Sequence, residues 1–170
     1  MEFQQVVMCR RSVRGYSGVP VDPEALNRIL RAASRAPSAG NLQAYRIFVV
    51  EAPAKRKALA EAAEGQEFVA QAPVDLVFFA EPTRSAGKYG PRGASLYAVQ
   101  DATIAAAFAM LAATDEGLSS VWVGAFDEPA VQVICGGTPL RPVAIVPMGH
   151  GTEVPPETPR RDLRELVQEL

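Results

Sequence analysis

Reactive side chains are scarce in this chain of 170 residues, which holds one histidine and two cysteines. A Ser-His-Asp site would depend wholly on His150, and no nucleophile-elbow sequence is present. Metal binding needs clustered His, Cys or carboxylate ligands, and the sequence shows no such cluster. Cys9 and Cys135 stand alone without a C-x-x-C pairing, the pattern of two reduced structural thiols in a cytoplasmic protein. A net charge of −2 lacks the basic face that a nucleic acid or an anionic membrane requires. The stretch Met1-Glu2-Phe3-Gln4-Gln5 has neither the basic n-region nor the apolar h-region of a signal peptide. The longest apolar run, Ala105 to Ala113, is well short of the about 20 residues a membrane span needs. With no repeat and no dividing linker, residues 1–170 are expected to form one soluble cytoplasmic domain with a real core. An enzyme this poor in reactive groups borrows its chemistry from a cofactor.

Two polar stretches stand out against that background. Arg10-Arg11-Ser12-Val13-Arg14 puts three guanidiniums and a hydroxyl within five residues, and guanidinium forks match phosphate oxygens in geometry and charge. Downstream, Ala36-Pro37-Ser38-Ala39-Gly40-Asn41-Leu42-Gln43 is a loop of small polar residues that closes one helix and leads into a strand. Taken singly, the first reads equally well as a solvated or interfacial charge cluster and the second as ordinary loop chemistry. Together they suit a ligand with an anionic tail and a flat polar head.

The hydrophobic pattern supplies the frame. A short helix is expected over Phe3 to Cys9, with Phe3, Val6 and Val7 on one face. Asp22-Pro23 provides an N-cap and a first-turn proline for a helix whose Leu26, Ile29, Leu30 and Ala33 recur at helical spacing and which ends near Ala36, ahead of Pro37. Strands are expected at Tyr45–Val50, Val74–Phe79, Ser120–Phe126 and Pro142–Met148, and a helix at Ala54–Glu64. Gly65 to Ala72 suits a short helix or a loop. Thr83 to Gly93, with charge, Gly and Pro but no apolar periodicity, reads as a mobile loop. Its Gly87-Lys88-Tyr89-Gly90 is not a phosphate loop, since no Lys-Ser or Lys-Thr follows and no strand leads directly in. Ser95 to Asp115 reads as the longest helix, apolar nearly all round and therefore central or interfacial, with Gly117 as its stop. Asp127-Glu128-Pro129 caps a short helix ending at Gly136-Gly137, and Leu163, Leu166, Val167 and Leu170 suggest a last amphipathic helix. Strands alternating with helices give an α+β (α/β sandwich) arrangement.

The arginine turn and the loop resemble the nitroreductase family of flavin-dependent oxidoreductases, whose members carry an Arg-Arg-Ser-x-Arg turn and then a Pro-Ser-x-x-Asn-x-Gln loop. Val121-Trp122-Val123-Gly124-Ala125-Phe126-Asp127, Arg141 to Gly149 and Pro159-Arg160-Arg161-Asp162-Leu163 extend the likeness, in order, over nearly the whole chain, as a short-chain member. The resemblance implies a central mixed sheet of four or more strands flanked by helices, in a homodimer with the flavin site at its interface. It implies FMN, with the phosphate on Arg10, Ser12 and Arg160, Arg11 nearby, and Arg14 at the N1–C2=O edge of the ring. Pro37, Ser38, Ala39, Asn41 and Gln43 would come from the partner subunit to the pyrimidine edge or the ribityl chain. Gly124 and Ala125 would bring backbone N–H groups to flavin N5. The implied reaction is ping-pong: NADH or NADPH gives hydride to the flavin, and a nitroaromatic, quinone or similar unsaturated acceptor takes the electrons. No Rossmann fingerprint is present, in keeping with a nicotinamide that stacks only transiently. Gln43-Ala44-Tyr45 departs from the family's frequent Gln-Pro-Trp, and Thr158 stands where a second basic residue often precedes the late arginine. Other flavin chemistry on the same scaffold (a dehydrogenase, dehalogenase or flavin-modifying reaction), a non-catalytic flavin-binding dimer, and a scaffold whose arginines only bridge an interface stay open on these residues.

Overall fold

The computed structural model describes every residue from Met1 to Leu170. Its elements are α1 (Phe3–Cys9), α2 (Pro23–Ser34), a 3-10 turn (Ala39–Asn41), β1 (Tyr45–Val50), α3 (Pro53–Ala62), α4 (Glu67–Gln71) and β2 (Val74–Ala80). They continue with α5 (Pro82–Arg92), a π-helical turn (Gly93–Tyr97), α6 (Ala98–Asp115), β3 (Ser119–Ser120), α7 (Glu128–Ile134), β4 (Arg141–Gly149) and α8 (Leu163–Leu166).

The four strands form one sheet in the order β1-β2-β4-β3. Every strand pair is antiparallel, and the only parallel pairing is an isolated bridge between Ser12 and Ser120. The expected mixture of directions is therefore confined to the place where the arginine turn touches the sheet edge.

Strand β2 is buried along its whole length because helices cover both faces of the sheet. Successive side chains point to opposite faces. Val74, Leu76 and Phe78, with Ala144, Val146 and Met148 of β4, face the alanines of α6 and Ile29 and Ala33 of α2. Val77, Phe79 and Ile145 face Leu59, Ala60, Val69 and Val131 of α3, α4 and α7. The result is an α/β/α sandwich, as expected from the alternation of strands and helices. Alanines at 102, 105, 106, 109 and 113 let α6 lie close on the sheet. The continuous helical run Pro82–Asp115 is long and apolar enough to cross a bilayer by length and composition, yet its alanine face is packed as a core helix.

The caps behave as read. Asp22 accepts from the N–H groups of Glu24 and Ala25, Asp127 accepts from that of Ala130, and Gly117 ends α6 at φ +74°. Cys9 is exposed and Cys135 buried, both unpaired.

Four expectations need correction. Thr83 to Gly93 is helix α5, not a loop: Pro82 opens it, and Gly93 packs so closely on it that a Cβ there would lie 2.5 Å from the Ser85 carbonyl oxygen. This close local packing, with Arg84 donating to the Leu42 carbonyl of the preceding loop, overrides the poor local propensity of Gly87, Gly90 and Pro91. The longest helix proper starts at Ala98, after the π turn. Only Ser119 and Ser120 of the third expected strand join the sheet, with Val123 adding one bridge to Ile145; beyond it the chain turns away to α7. The last helix is a single turn, and Leu163, Leu166, Val167 and Leu170 are all exposed, so its apolar face meets nothing in this chain.

Candidate functional site

The arginine turn is fixed from beneath. Tyr16 is buried, and its hydroxyl donates toward the carbonyls of Val13 (2.9 Å) and Pro147 (3.2 Å). Burial raises its phenol well above the ordinary range, with the nearby Asp75 carboxyl adding to the effect, so Tyr16 stays a donor. The Val13 N–H donates to Ser120 at 3.2 Å. The turn is thus pinned to the end of β4 and the end of β3 while its polar side chains point outward. Tyr16 was invisible as a site-building residue in the sequence, because a single buried tyrosine carries no pattern.

The four polar residues of the turn are placed differently. Arg11 donates to the carbonyls of Met8 and Arg10 and reaches Glu157 at 3.5 Å. The backbone N–H of Arg14 donates to Glu153 Oε1 (2.9 Å), and its guanidinium lies 5.9 Å from the centre of the Phe68 ring. The guanidiniums of Arg10 and Arg14 and the hydroxyl of Ser12 have no hydrogen-bond or ion-pair partner in the chain. The segment that supplies Glu153 and Glu157 leads on to Arg160, whose guanidinium folds back onto Thr158 at 2.7 and 3.0 Å.

The loop is organised by a residue with no local sequence signal, Asp101. Asp101, on α6 and 2% exposed, accepts from the N–H groups of Ala39 (2.9 Å) and Ala44 (3.2 Å). Ser38 Oγ accepts from the Gln43 N–H at 3.0 Å, and the Gln43 amide donates to Asn41. Gly40, Asn41 and Gln43 all adopt positive φ, a conformation in which non-glycine residues are strained. The buried carboxylate, gripping both ends of the loop, offsets that cost. Pro37, Ser38 and Ala39 then line an open groove of about 500 Å³ with Tyr97, Gln100, Asp101, Thr103 and Ile104.

Gly124 and Ala125 lie just past the Val123 bridge to Ile145 and are exposed. Their N–H groups have no partner in the chain. A Cβ on Gly124 would lie 3.1 Å from Trp122 Nε1, so the backbone there is accessible because the residue is small.

The two polar stretches do not meet within one chain. Arg11 and Val13 border a small cavity with Thr114 and Leu118 at the C-terminal end of α6. The loop is tied to Asp101 near the other end. Thirteen residues of helix separate Asp101 from Thr114, roughly 20 Å of rise. Along that length Ile104, Ala107, Phe108 and Leu111 form a stripe left partly or wholly uncovered, running into an apolar hollow lined by Phe3, Val6, Phe108, Leu111 and Ala112.

The model of the Nitroreductase family matches residues 7–83 and 63–150. An NADH dehydrogenase of Thermus thermophilus is 49% identical over 81 residues, 48% of this chain; the matched stretch spans 40% of that relative's length. An NADPH-flavin oxidoreductase of Vibrio harveyi is 30% identical over 173 residues, 97% of this chain and 72% of its own length. The solved structure of the NADPH:FMN oxidoreductase of Vibrio harveyi, in complex with NAD+, matches at a TM-score of 0.89 and 27% identity, over 98% of this chain and 76% of that one.

Proposed function

The chain belongs to the nitroreductase family, and from that membership we propose that it is an FMN-dependent NAD(P)H oxidoreductase working as a homodimer. The observation that carries the reading is the split site: an arginine turn and a strained polar loop at opposite ends of α6, joined by an uncovered apolar stripe. Two copies packed through that stripe in antiparallel fashion set the turn of one beside the loop of the other.

The residues present fit FMN. Arg10 and Ser12, free of protein partners, and Arg160, held only by its neighbour Thr158, are a donor set suited to a phosphate. Arg11 acts nearby, balanced by Glu157. Pro37, Ser38, Ala39, Asn41 and Gln43 of the partner would meet the pyrimidine edge or ribityl chain. The unpartnered N–H groups of Gly124 and Ala125 suit the flavin's redox-active edge. Arg14 places fixed positive charge where negative charge develops, an electrostatic stabilisation that needs no reorganisation.

FMN, when bound, supplies two-electron transfer, and the protein's part is to hold, orient and tune it. Electrons from NADH or NADPH pass in one binding event, and a nitroaromatic, quinone or similar acceptor collects them in a second. The names of the Vibrio harveyi relatives, which pair NADPH with a flavin, support this reading. A cytoplasmic location goes with it, suited to free thiols and a nicotinamide donor.

Phe108→Glu tests the interface. Phe108 lies on the uncovered stripe and outside the core clusters, and circular dichroism should show the variant folded. Sedimentation should show a monomer that has lost FMN uptake; a monomer that binds FMN as tightly as the parent would contradict the shared site.

A further inference from the structure

Helix α5 carries a second, differently built cluster at the lip of the groove. Arg84, Lys88 and Arg92 are all exposed, and none is in an ion pair. A run of charge is commonly just a solvated face, but these side chains are held.

Lys88 Nζ lies 5.4 Å from the centre of the Tyr89 ring, and Tyr89 meets Tyr97 edge to face at 5.2 Å. Arg92 lies 5.4 Å from the centre of the Tyr97 ring and donates to its hydroxyl at 2.9 Å. This cation–ring–ring–cation chain is docked on the loop. A Cβ on Gly40 would lie 2.4 Å from Tyr89 Oη and 2.7 Å from Lys88 Nζ, and Arg84 donates to the Leu42 carbonyl. Tyr97 itself lines the groove beside Ser38 and Ala39. The kink at Gly90 (φ +58°) and the π turn that follows let Lys88 and Arg92 flank the same tyrosine pair across a break in the helix.

We propose that Lys88 and Arg92 select a redox partner that carries an anionic group on or beside a planar ring, the tyrosines offering the flat surface and the cations the charge. This rests on the flavin reading above and names the chemistry of what enters the groove. Two sources share that chemistry: an acceptor bearing a carboxylate, or the 2′-phosphate of a phosphorylated nicotinamide.

The test uses FMN-loaded, oxidised protein and calorimetric titration with matched pairs: 4-nitrobenzoate against nitrobenzene, and NADP+ against NAD+. Within each pair the molecules differ by one anionic group. Lys88→Gln and Arg92→Gln should each lower the preference for the anionic member roughly two- to fivefold, the loss expected of one exposed ion pair. Lys88→Arg should restore it. Added salt should erode the parent's preference, as screening requires. A loss confined to the nitrobenzoate pair identifies the acceptor as the source, and one confined to the nucleotide pair identifies the donor. Variants that take up FMN and keep the parent's preference in both pairs overturn the proposal alone. Failure of the parent to take up FMN overturns the flavin reading and this one with it.

Discussion

At the scale of single residues, two arginines four positions apart are assigned separable tasks. Arg10→Ala should weaken FMN binding by about 1.5–3 kcal/mol, the worth of a charge-assisted hydrogen bond, read by titrating apoprotein with FMN. Arg14→Ala should instead retain FMN and shift the bound flavin's reduction potential to more negative values, measured by spectroelectrochemistry. An unchanged potential in a flavin-loaded Arg14→Ala protein would remove Arg14 from that role. Asp75 poses a different question. It is wholly buried on the central strand, and neither carboxyl oxygen has a hydrogen-bond partner within the chain. Burial pushes its pKa from the ordinary 3.8 up to about 8, with Arg56 only partly opposing the rise. The folded state then holds a proton that the unfolded chain releases. Stability should therefore fall as pH rises between about 4 and 8 and level off above that range. Asp75→Asn should flatten this slope in urea melts across the same range; a slope identical to the parent's would show that Asp75 does not set it.

At the scale of elements, the 38–44 loop depends on α6 through one carboxylate. Asp101→Ala removes two hydrogen bonds from backbone N–H groups and leaves strained residues unsupported, for an expected loss of roughly 2–4 kcal/mol by urea denaturation. A loss below about 0.5 kcal/mol, the level of ordinary surface changes, would mean that the loop holds its shape without it. The sequence was legible where a local signal and the tertiary outcome agree. Asp22-Pro23 opened α2, Tyr45–Val50 became β1 residue for residue, and the β-branched and aromatic run at 74–79 became the buried central strand. It misled at α5, where glycines and a proline mark a helix held by packing against Gly93. It misled again at 163–170, where helical spacing of leucines has no surface in this chain to cover. Both misreadings concern contacts that one-dimensional periodicity does not encode.

At the scale of the molecule, the candidate site was readable as residue types, and the resemblance already implied that the loop serves the partner subunit. What the residues alone did not encode is where the fold sends the turn and the loop: to opposite ends of α6. Asp101 and Tyr16, which hold the two halves in shape, gave no sign of it, because a buried acceptor and a buried phenol each acquire their role only from the backbone groups packed around them. Family membership and the ordered polar turn support the proposed account, a cofactor-borne chemistry housed between two copies of the chain.

The most direct test is the visible absorption spectrum of the purified protein, supplemented with FMN and recorded anaerobically before and after NADH and then NADPH. The account predicts a yellow protein whose flavin bands bleach on addition of a nicotinamide. A protein that stays colourless after exposure to FMN would contradict it, and the arginine turn would then be an element of structure alone.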